Sequence, residues 1–178
     1  MVLIGLCVSF PAAADARVKV TVEATVIHIA AEVETSVDRA TAWAVLTDYD
    51  HWAEFVPGLT LSRVISRPGE PLRVEQRGAV PWLPNFPLVV VSEVQETPPK
   101  SIRFQRIVGN VRALQGDWHI VGRTPVRLDY RAIVEPGFPV PPQVTVEFFR
   151  QDTRLRLEGL AKEMARRAAG AGSPPPGQ

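Results

Sequence analysis

The sequence predicts an α+β domain in which a curved antiparallel sheet is closed by one long C-terminal helix. Strand-like runs follow one another from residue 59 to residue 134 with short turns between them. Parallel pairing would need crossovers of a dozen residues or more, so these runs favour antiparallel neighbours. Residues 143–169 then contain no proline and are typical of one helix. At 178 residues the chain is long enough for one domain with a sizeable core.

The N-terminal part predicts one long strand and two short helices. Apolar and polar residues alternate over 18–35, which is typical of a strand with one solvated face. The two faces become harder to separate near 27–29, which indicates a bend or bulge. Asp38 can cap a first helix over 39–46, and a second helical turn is expected over 51–55.

Six further strands are predicted after these helices, so the sheet is expected to have seven strands. The runs are 59–67, 71–78, 88–97, 101–108, 111–121 and 126–134. Prolines at positions 81, 84 and 87 predict a loop between the second and third runs, because proline disfavours both helices and central strands.

The final helix carries an apolar stripe. Its members recur every three or four positions: Phe149, Thr153, Leu157, Leu160, Met164 and Ala168. The basic side chains are expected mostly on the wetter face: Arg150, Arg154, Arg156, Lys162 and Arg166. The stripe therefore predicts that this helix packs along the apolar face of the sheet.

The two ends of the chain predict segments outside the domain at 17–169. Residues 1–16 resemble a signal peptide, with an apolar run of about nine residues and an Ala-x-Ala pattern that allows cleavage after Ala14 or Ala16. That run is far shorter than the ~20 residues that span a bilayer. Export to the periplasm or beyond is expected. No basic residue precedes the run, so an apolar strand extension of a cytoplasmic protein is the alternative. Residues 170–178 predict a disordered Gly/Pro tail.

Composition excludes several classes of site. The formal net charge of +1 argues against a nucleic-acid-binding surface, which needs a strongly basic face. The only cysteine is Cys7, so disulfides and thiolate sites are excluded from the domain. His28, His51 and His119 lie far apart without metal-ligand spacing. No nucleophile elbow, phosphate loop or dinucleotide fingerprint occurs, so we expect no catalytic residue, metal or cofactor.

Four segments together resemble a known family. They are residues 37–52, 55–59, 116–120 and 127–130, the last leading into the final helix. They resemble the polyketide cyclase/dehydrase and coenzyme Q-binding START-like families of the Bet v 1 superfamily. The resemblance implies a helix-grip fold, in which a seven-stranded antiparallel sheet wraps around the C-terminal helix and two short helices close one end. Members of these families bind lipids, quinones, polyketides or hormones, and a minority catalyse cyclisation or dehydration.

Such a fold predicts a cavity, because a curved sheet and a straight helix do not pack flush everywhere. Strand parity and the helix stripe give candidate ligand contacts: Phe104, Arg106, Trp118, Tyr130, Phe149, Thr153, Leu157 and Leu160. The same pattern is also typical of a filled core. Aromatic residues near the short helices and the proline-rich segment could form a lid: Trp52, Phe55, Trp82 and Phe86. Tyr49, at the end of the first helix, is a further candidate ligand contact. Trp52 and Phe55 could equally hold the second short helix in place.

Arg106 is the polar residue among these candidates. It shares strand parity with apolar residues, so its guanidinium could bind a carboxylate or a ketone oxygen of the ligand. The alternative is an arginine near a strand end whose head group reaches water. The sequence thus predicts non-catalytic binding or transfer of a hydrophobic small molecule such as a lipid, quinone or polyketide. A cyclase/dehydratase-type enzyme and a protein-interaction module are the alternatives. No nucleic-acid partner and no stable membrane span are expected, while transient membrane contact stays open.

Overall fold

The computed structural model describes residues 15–80 and 83–171, with the backbone alone for 83–86. One antiparallel sheet has the strand order β1-β2-β8-β7-β6-β5-β4-β3. The strands are β1 Arg17–Glu23, β2 Val26–Thr35, β3 Leu59–Val64, β4 Arg73–Val80, β5 Leu83–Thr97, β6 Ser101–Gly109, β7 Ala113–Gly122 and β8 Val126–Glu135. The helices are α1 Arg39–Leu46, α2 Trp52–Phe55 and α3 Pro142–Ala171, with a 3₁₀ turn at Tyr49–His51. The predicted α+β helix-grip architecture is confirmed.

The sheet has eight strands rather than the seven expected. The predicted single strand over 18–35 is a hairpin that turns at Ala24 and Thr25, where Ala24 adopts a φ of 55°. Val20 pairs with Ile29 across this turn. The buried apolar residues pass from even to odd positions there, and this change of phase marks a reversal of the chain rather than the bend expected near 27–29.

The proline-rich segment was expected to be a loop, but β5 runs through Pro84 and Pro87. This part of β5 pairs with β4 as far as Leu83, whereas its pairing with β6 begins only at Val90. Proline lacks the N–H that a second neighbouring strand would need, and it is tolerated where a strand is paired on one side. The prediction was wrong because the neighbour of a strand is not visible in local sequence.

Helix α3 lies along the concave face of the sheet. Phe149, Thr153, Leu157, Leu160 and Met164 are buried, which confirms the stripe over most of its length. Asp38 caps α1 as expected, since its Oδ1 accepts a hydrogen bond from Thr41 N at 2.7 Å. Helix α1 contacts α3 and β7, and α2 contacts β3 and α3, so both short helices pack against the sheet and against α3.

The predicted terminal segments fall mostly outside the described residues. Residues 1–14 and 172–178 lie outside, so the signal peptide, export and most of the tail stay predictions. Ala16 is 1% exposed and belongs to the main hydrophobic core, while Gly170 and Ala171 still belong to α3. Within the described ranges, no helix has the combination of length and apolarity that crosses a bilayer.

Ion pairs join the 3₁₀ turn to the C-terminal part of α3. Arg167 Nη2 donates to Asp48 Oδ2 at 2.6 Å, and Arg167 Nε donates to Glu163 Oε1 at 2.7 Å. His51 Nδ1 lies 2.6 Å from Asp48 Oδ1. The guanidinium of Arg167 also lies 5.6 Å from the centre of the Phe55 ring, within cation–π range. This network fixes the short helices against α3.

Glu163 predicts how this network responds to acid. Hydrogen bonds from Arg166 and then Arg167 lower the pKa of Glu163 to about 2, although burial opposes them. An unfolded glutamate titrates near pH ~4.3. The stabilisation is therefore complete above that pH and is lost as pH falls towards 2. We expect Glu163→Gln to lower the free energy of unfolding by about 1–3 kcal/mol at pH 7, with the difference shrinking in acid. Urea unfolding at several pH values measures this, and a difference independent of pH would contradict it.

Candidate ligand-binding site

A cavity of about 190 Å³ lies between α3 and the concave face of the sheet. This volume is below the ~300–1,000 Å³ typical of sites that enclose a drug-sized ligand. Apolar side chains dominate its walls, and they come from α1, the 3₁₀ turn, α2, α3 and all strands except β1. The expected gap is thus present, although large buried side chains already fill much of the space around it.

The structure brings nine of the candidate contacts together around this cavity. They are Tyr49, Trp52, Phe104, Trp118, Tyr130, Phe149, Thr153, Leu157 and Leu160. Trp82 and the side chain of Phe86 lie outside the described residues, so their part in a lid stays a prediction. Whether any of these side chains touches a ligand also stays a prediction.

Aromatic rings form one continuous group along the cavity. The centre of the Trp118 ring lies 4.4 Å from that of Tyr130 and 6.3 Å from that of Trp52, which it meets edge-on. Phe104 stacks on Tyr130 at 6.2 Å, and Tyr49 lies 6.0 Å from Trp52. These spacings are those of favourable aromatic pairs. The rings therefore form one continuous aromatic wall of the cavity, and a role of Trp52 in a lid stays a prediction.

Phe55 is absent from the residues that line the cavity in the described part of the chain. Its ring lies beneath the guanidinium of Arg167 at 5.6 Å. This contact favours the interpretation in which Phe55 holds α2 against α3.

Arg106 is not brought to the cavity either. Its Nη2 donates to the carbonyl of Gly109 at 2.8 Å, at the end of β6. The register changes here, because Ser92 pairs with Arg106 while the neighbouring Val91 pairs with Val108. The side chain therefore turns along the end of its own strand, which agrees with the alternative of an arginine at a strand end.

The main feature that sequence patterns missed is an ion pair on α3. Arg156 was expected on the wetter face, but Arg156 and Asp152 both line the cavity. Arg156 Nε donates to Asp152 Oδ2 at 2.7 Å, and each side chain is 29% exposed. The spacing of four residues showed that they could pair. It did not show that the pair flanks the buried stripe closely enough to reach the cavity.

The loop between α2 and β3 passes close to the Asp152–Arg156 ion pair at Gly58. Gly58 has a φ of +84°, a conformation that favours glycine. A β-carbon at Gly58 would lie 3.4 Å from Arg156 Nη2 and 3.5 Å from Asp152 Oδ1. These are ordinary contact distances, so it is the positive φ, rather than lack of space, that favours glycine at this position.

The polar groups at the cavity keep defined protonation states. Burial raises the pKa of Tyr130 to about 12, so its hydroxyl stays protonated at neutral pH. Burial and then the bond to Glu96 raise the pKa of Tyr49 well above its usual range, and its hydroxyl donates to Glu96 Oε1 at 2.8 Å. Burial, the largest single influence, acts to lower the pKa of Arg156, but the charge of Asp152, the hydrogen bond to Asp152 and the influence of Tyr130 together raise it. The cavity thus contains protonated phenols and a charged but neutralised ion pair.

Arg77 is the remaining charged residue among the described lining residues. Its Nε donates to Glu75 Oε1 at 2.8 Å, and its side chain is 48% exposed. Among the described residues that line the cavity, Asp152 is the only one with a carboxylate. The described residues contain no group of three acidic, histidine or cysteine side chains suited to a metal ion.

Residues 35–161 match the model of a protein family described as polyketide cyclase / dehydrase and lipid transport. The chain belongs to this family. No curated protein matches the sequence significantly.

Solved structures of the same fold include an aromatase/cyclase, a STAR-related lipid transfer protein and human STARD10. The Zhui aromatase/cyclase from Streptomyces sp. R1128 superposes with a TM-score of 0.70 at 15% identity, covering 84% of this chain and 99% of its own. The STAR-related lipid transfer protein (fragment 25–204) from Xanthomonas axonopodis gives 0.67 at 14% identity, covering 88% and 96%. Human STARD10 gives 0.64 at 13% identity, covering 86% and 75%. At these identities the likeness shows the fold of this family member and not its ligand.

Proposed function

We propose that this protein binds a hydrophobic small molecule, without catalysis, in the cavity between α3 and the sheet. The observation that carries the proposal is the apolar cavity itself, which is walled by aromatic rings and has one neutralised ion pair of α3 in its lining. Burying apolar ligand surface there contributes about 25 cal/mol per Å² before the costs of association. The STAR-related lipid transfer protein from Xanthomonas axonopodis, which has the same fold, supports a lipid-like ligand.

A bulky side chain in the cavity tests the proposal. Leu114 lines the cavity on β7 and is half-buried, so tryptophan at this position would project into the ligand space. We expect Leu114→Trp to weaken binding of the uncharged dye Nile red by about tenfold or more, equivalent to ~1.4 kcal/mol. A fluorescence titration measures the dissociation constant.

The matched control is Val121→Trp on the same strand. Val121 is 41% exposed and does not line the described cavity, so this variant should bind the dye as the unaltered protein does. If the unaltered protein binds no dye, or if both tryptophan variants bind it equally, the cavity is not the binding site.

A cyclase/dehydratase-type enzyme is the second candidate, and one observation favours it. Asp152 places a carboxylate inside the cavity near Tyr130, and a general base with a hydrogen-bond donor is the set that such chemistry requires. The structural likeness to the Zhui aromatase/cyclase adds to this candidate. An enzyme would convert its ligand, so recovery of a chemically unchanged ligand from the purified protein supports binding alone.

A further inference from the structure

The ion pair on α3 restricts the chemistry of a ligand in the cavity. Arg156 Nε donates one hydrogen bond to Asp152 Oδ2. A guanidinium has five N–H donors, and the other four belong to its two Nη groups. Both side chains line the cavity and each keeps 29% of its surface accessible. The Nη groups of Arg156 and Oδ1 of Asp152 are thus the groups of the pair left to meet a polar atom of a ligand.

The charges of the pair sum to zero. A ligand carboxylate would add a third charge and leave this part of the cavity with a net charge of minus one. Burying an uncompensated ion is much less favourable than burying a hydrogen-bonded neutral oxygen. Arg77 changes this balance little, because its side chain is about half exposed and water screens its charge, although Glu75, its partner, is shared with Arg63.

An uncharged oxygen can hydrogen-bond to the pair without adding a charge. A carbonyl or hydroxyl oxygen can accept a hydrogen bond from Arg156, and a hydroxyl can also donate to Asp152. Hydrogen bonds to charged groups are stronger than those between neutral groups. The rest of the ligand would lie against the apolar and aromatic walls.

We propose that the Asp152–Arg156 pair selects apolar ligands that carry an uncharged oxygen, an alcohol or a ketone, over ligands that carry an ionised carboxylate. This inference rests on the proposed function, because it names the class of molecule that the same cavity takes.

Four eight-carbon compounds test the selection by displacement of Nile red at pH 8: octane, 1-octanol, 2-octanone and octanoate. We expect 1-octanol and 2-octanone to bind at least about tenfold more tightly than octanoate, and more tightly than octane. The carboxylate of octanoate is strongly hydrated in water, which weakens its binding to any apolar cavity. The test therefore compares the ratio of octanoate affinity to 1-octanol affinity between the unaltered protein and its variants.

Asp152→Asn changes the charge of the cavity with little change of shape. It leaves Arg156 without its counter-charge, so the ratio of octanoate to octanol affinity should rise by about tenfold or more. Glu147→Gln is the matched control, since it also removes a carboxylate paired with an arginine on α3. Glu147 pairs with Arg150 and does not line the described cavity, so the ratio should stay unchanged.

The outcomes separate this inference from the proposed function. If none of the four compounds displaces the dye from the unaltered protein, the proposed function fails. If 1-octanol binds but Asp152→Asn changes the ratio of octanoate to 1-octanol affinity no more than Glu147→Gln does, the ion pair does not select ligands by charge. Far-UV circular dichroism confirms that each variant is folded. If Asp152→Asn does not fold, Arg156→Gln replaces it: the ratio should then fall about tenfold, and an unchanged ratio overturns the inference.

Discussion

Replacing Trp118 with alanine is expected to lower the free energy of unfolding by about 3–5 kcal/mol. Trp118 lies on β7, is 7% exposed and packs between two aromatic partners. Its ring centre lies 4.4 Å from that of Tyr130 and 6.3 Å from that of Trp52. Its removal deletes both aromatic contacts and leaves a void next to the cavity, because the strand backbone and α3 cannot collapse to fill it. Urea unfolding followed by far-UV circular dichroism measures the change.

Two further variants show whether the loss comes from the ring itself. Trp118→Phe keeps a smaller ring in place and should destabilise less than alanine does. Val121→Ala alters an exposed position of the same strand, where changes stay within about 0.5 kcal/mol. If Trp118→Ala lowers the free energy of unfolding no more than Val121→Ala does, packing of the Trp118 ring in the aromatic wall does not stabilise the fold.

Gly159→Ala is expected to destabilise the protein by about 1–3 kcal/mol, although alanine is normally favoured over glycine inside a helix by about 1 kcal/mol. Gly159 lies on α3 where the loop after α2 crosses the helix. A β-carbon there would overlap the carbonyl oxygen of Phe55 and lie 2.7 Å from Pro57 Cδ. The loop backbone would have to move away from the helix, and overpacking of this kind outweighs the gain in helix propensity.

Gly170 provides the control on the same helix. A β-carbon at Gly170 meets nothing within 4 Å, so Gly170→Ala should leave stability unchanged or raise it slightly. Thermal unfolding of the two variants compares them directly. If Gly159→Ala raises the melting temperature as Gly170→Ala does, α3 does not hold the loop after α2 in the way the structure indicates.

The sequence was sufficient for the parts of the fold that depend on local periodicity. The spacing of Phe149, Thr153, Leu157 and Leu160 identified the face of α3 that meets the sheet, because a helix repeats every 3.6 residues. Short turns between successive runs predicted the antiparallel meander from β3 to β8. Both predictions use information that lies within a few residues of each position.

The errors concern properties that depend on distant neighbours. Pro87 is tolerated in β5 because that end of the strand has β4 but not β6 beside it, and no local pattern reports this. Arg156 lies at the cavity because the loop at Gly58 and the sheet close around it, whereas its position on the helix alone favoured solvent. Arg106 has the strand parity of an inward residue, yet its head group bonds the carbonyl of Gly109.

The pairing of β2 with β8 determines when the cavity can first exist during folding. Thr35 pairs with Val126, so this part of the sheet joins segments about ninety residues apart. Such non-local contacts slow folding, because a long loop must close before they form. Helix α3, which supplies one wall, comes after β8 in the chain. On the ribosome, the sheet edges and apolar faces are therefore made first, and no enclosed site can hold a guest molecule until nearly the last residue of the domain has emerged.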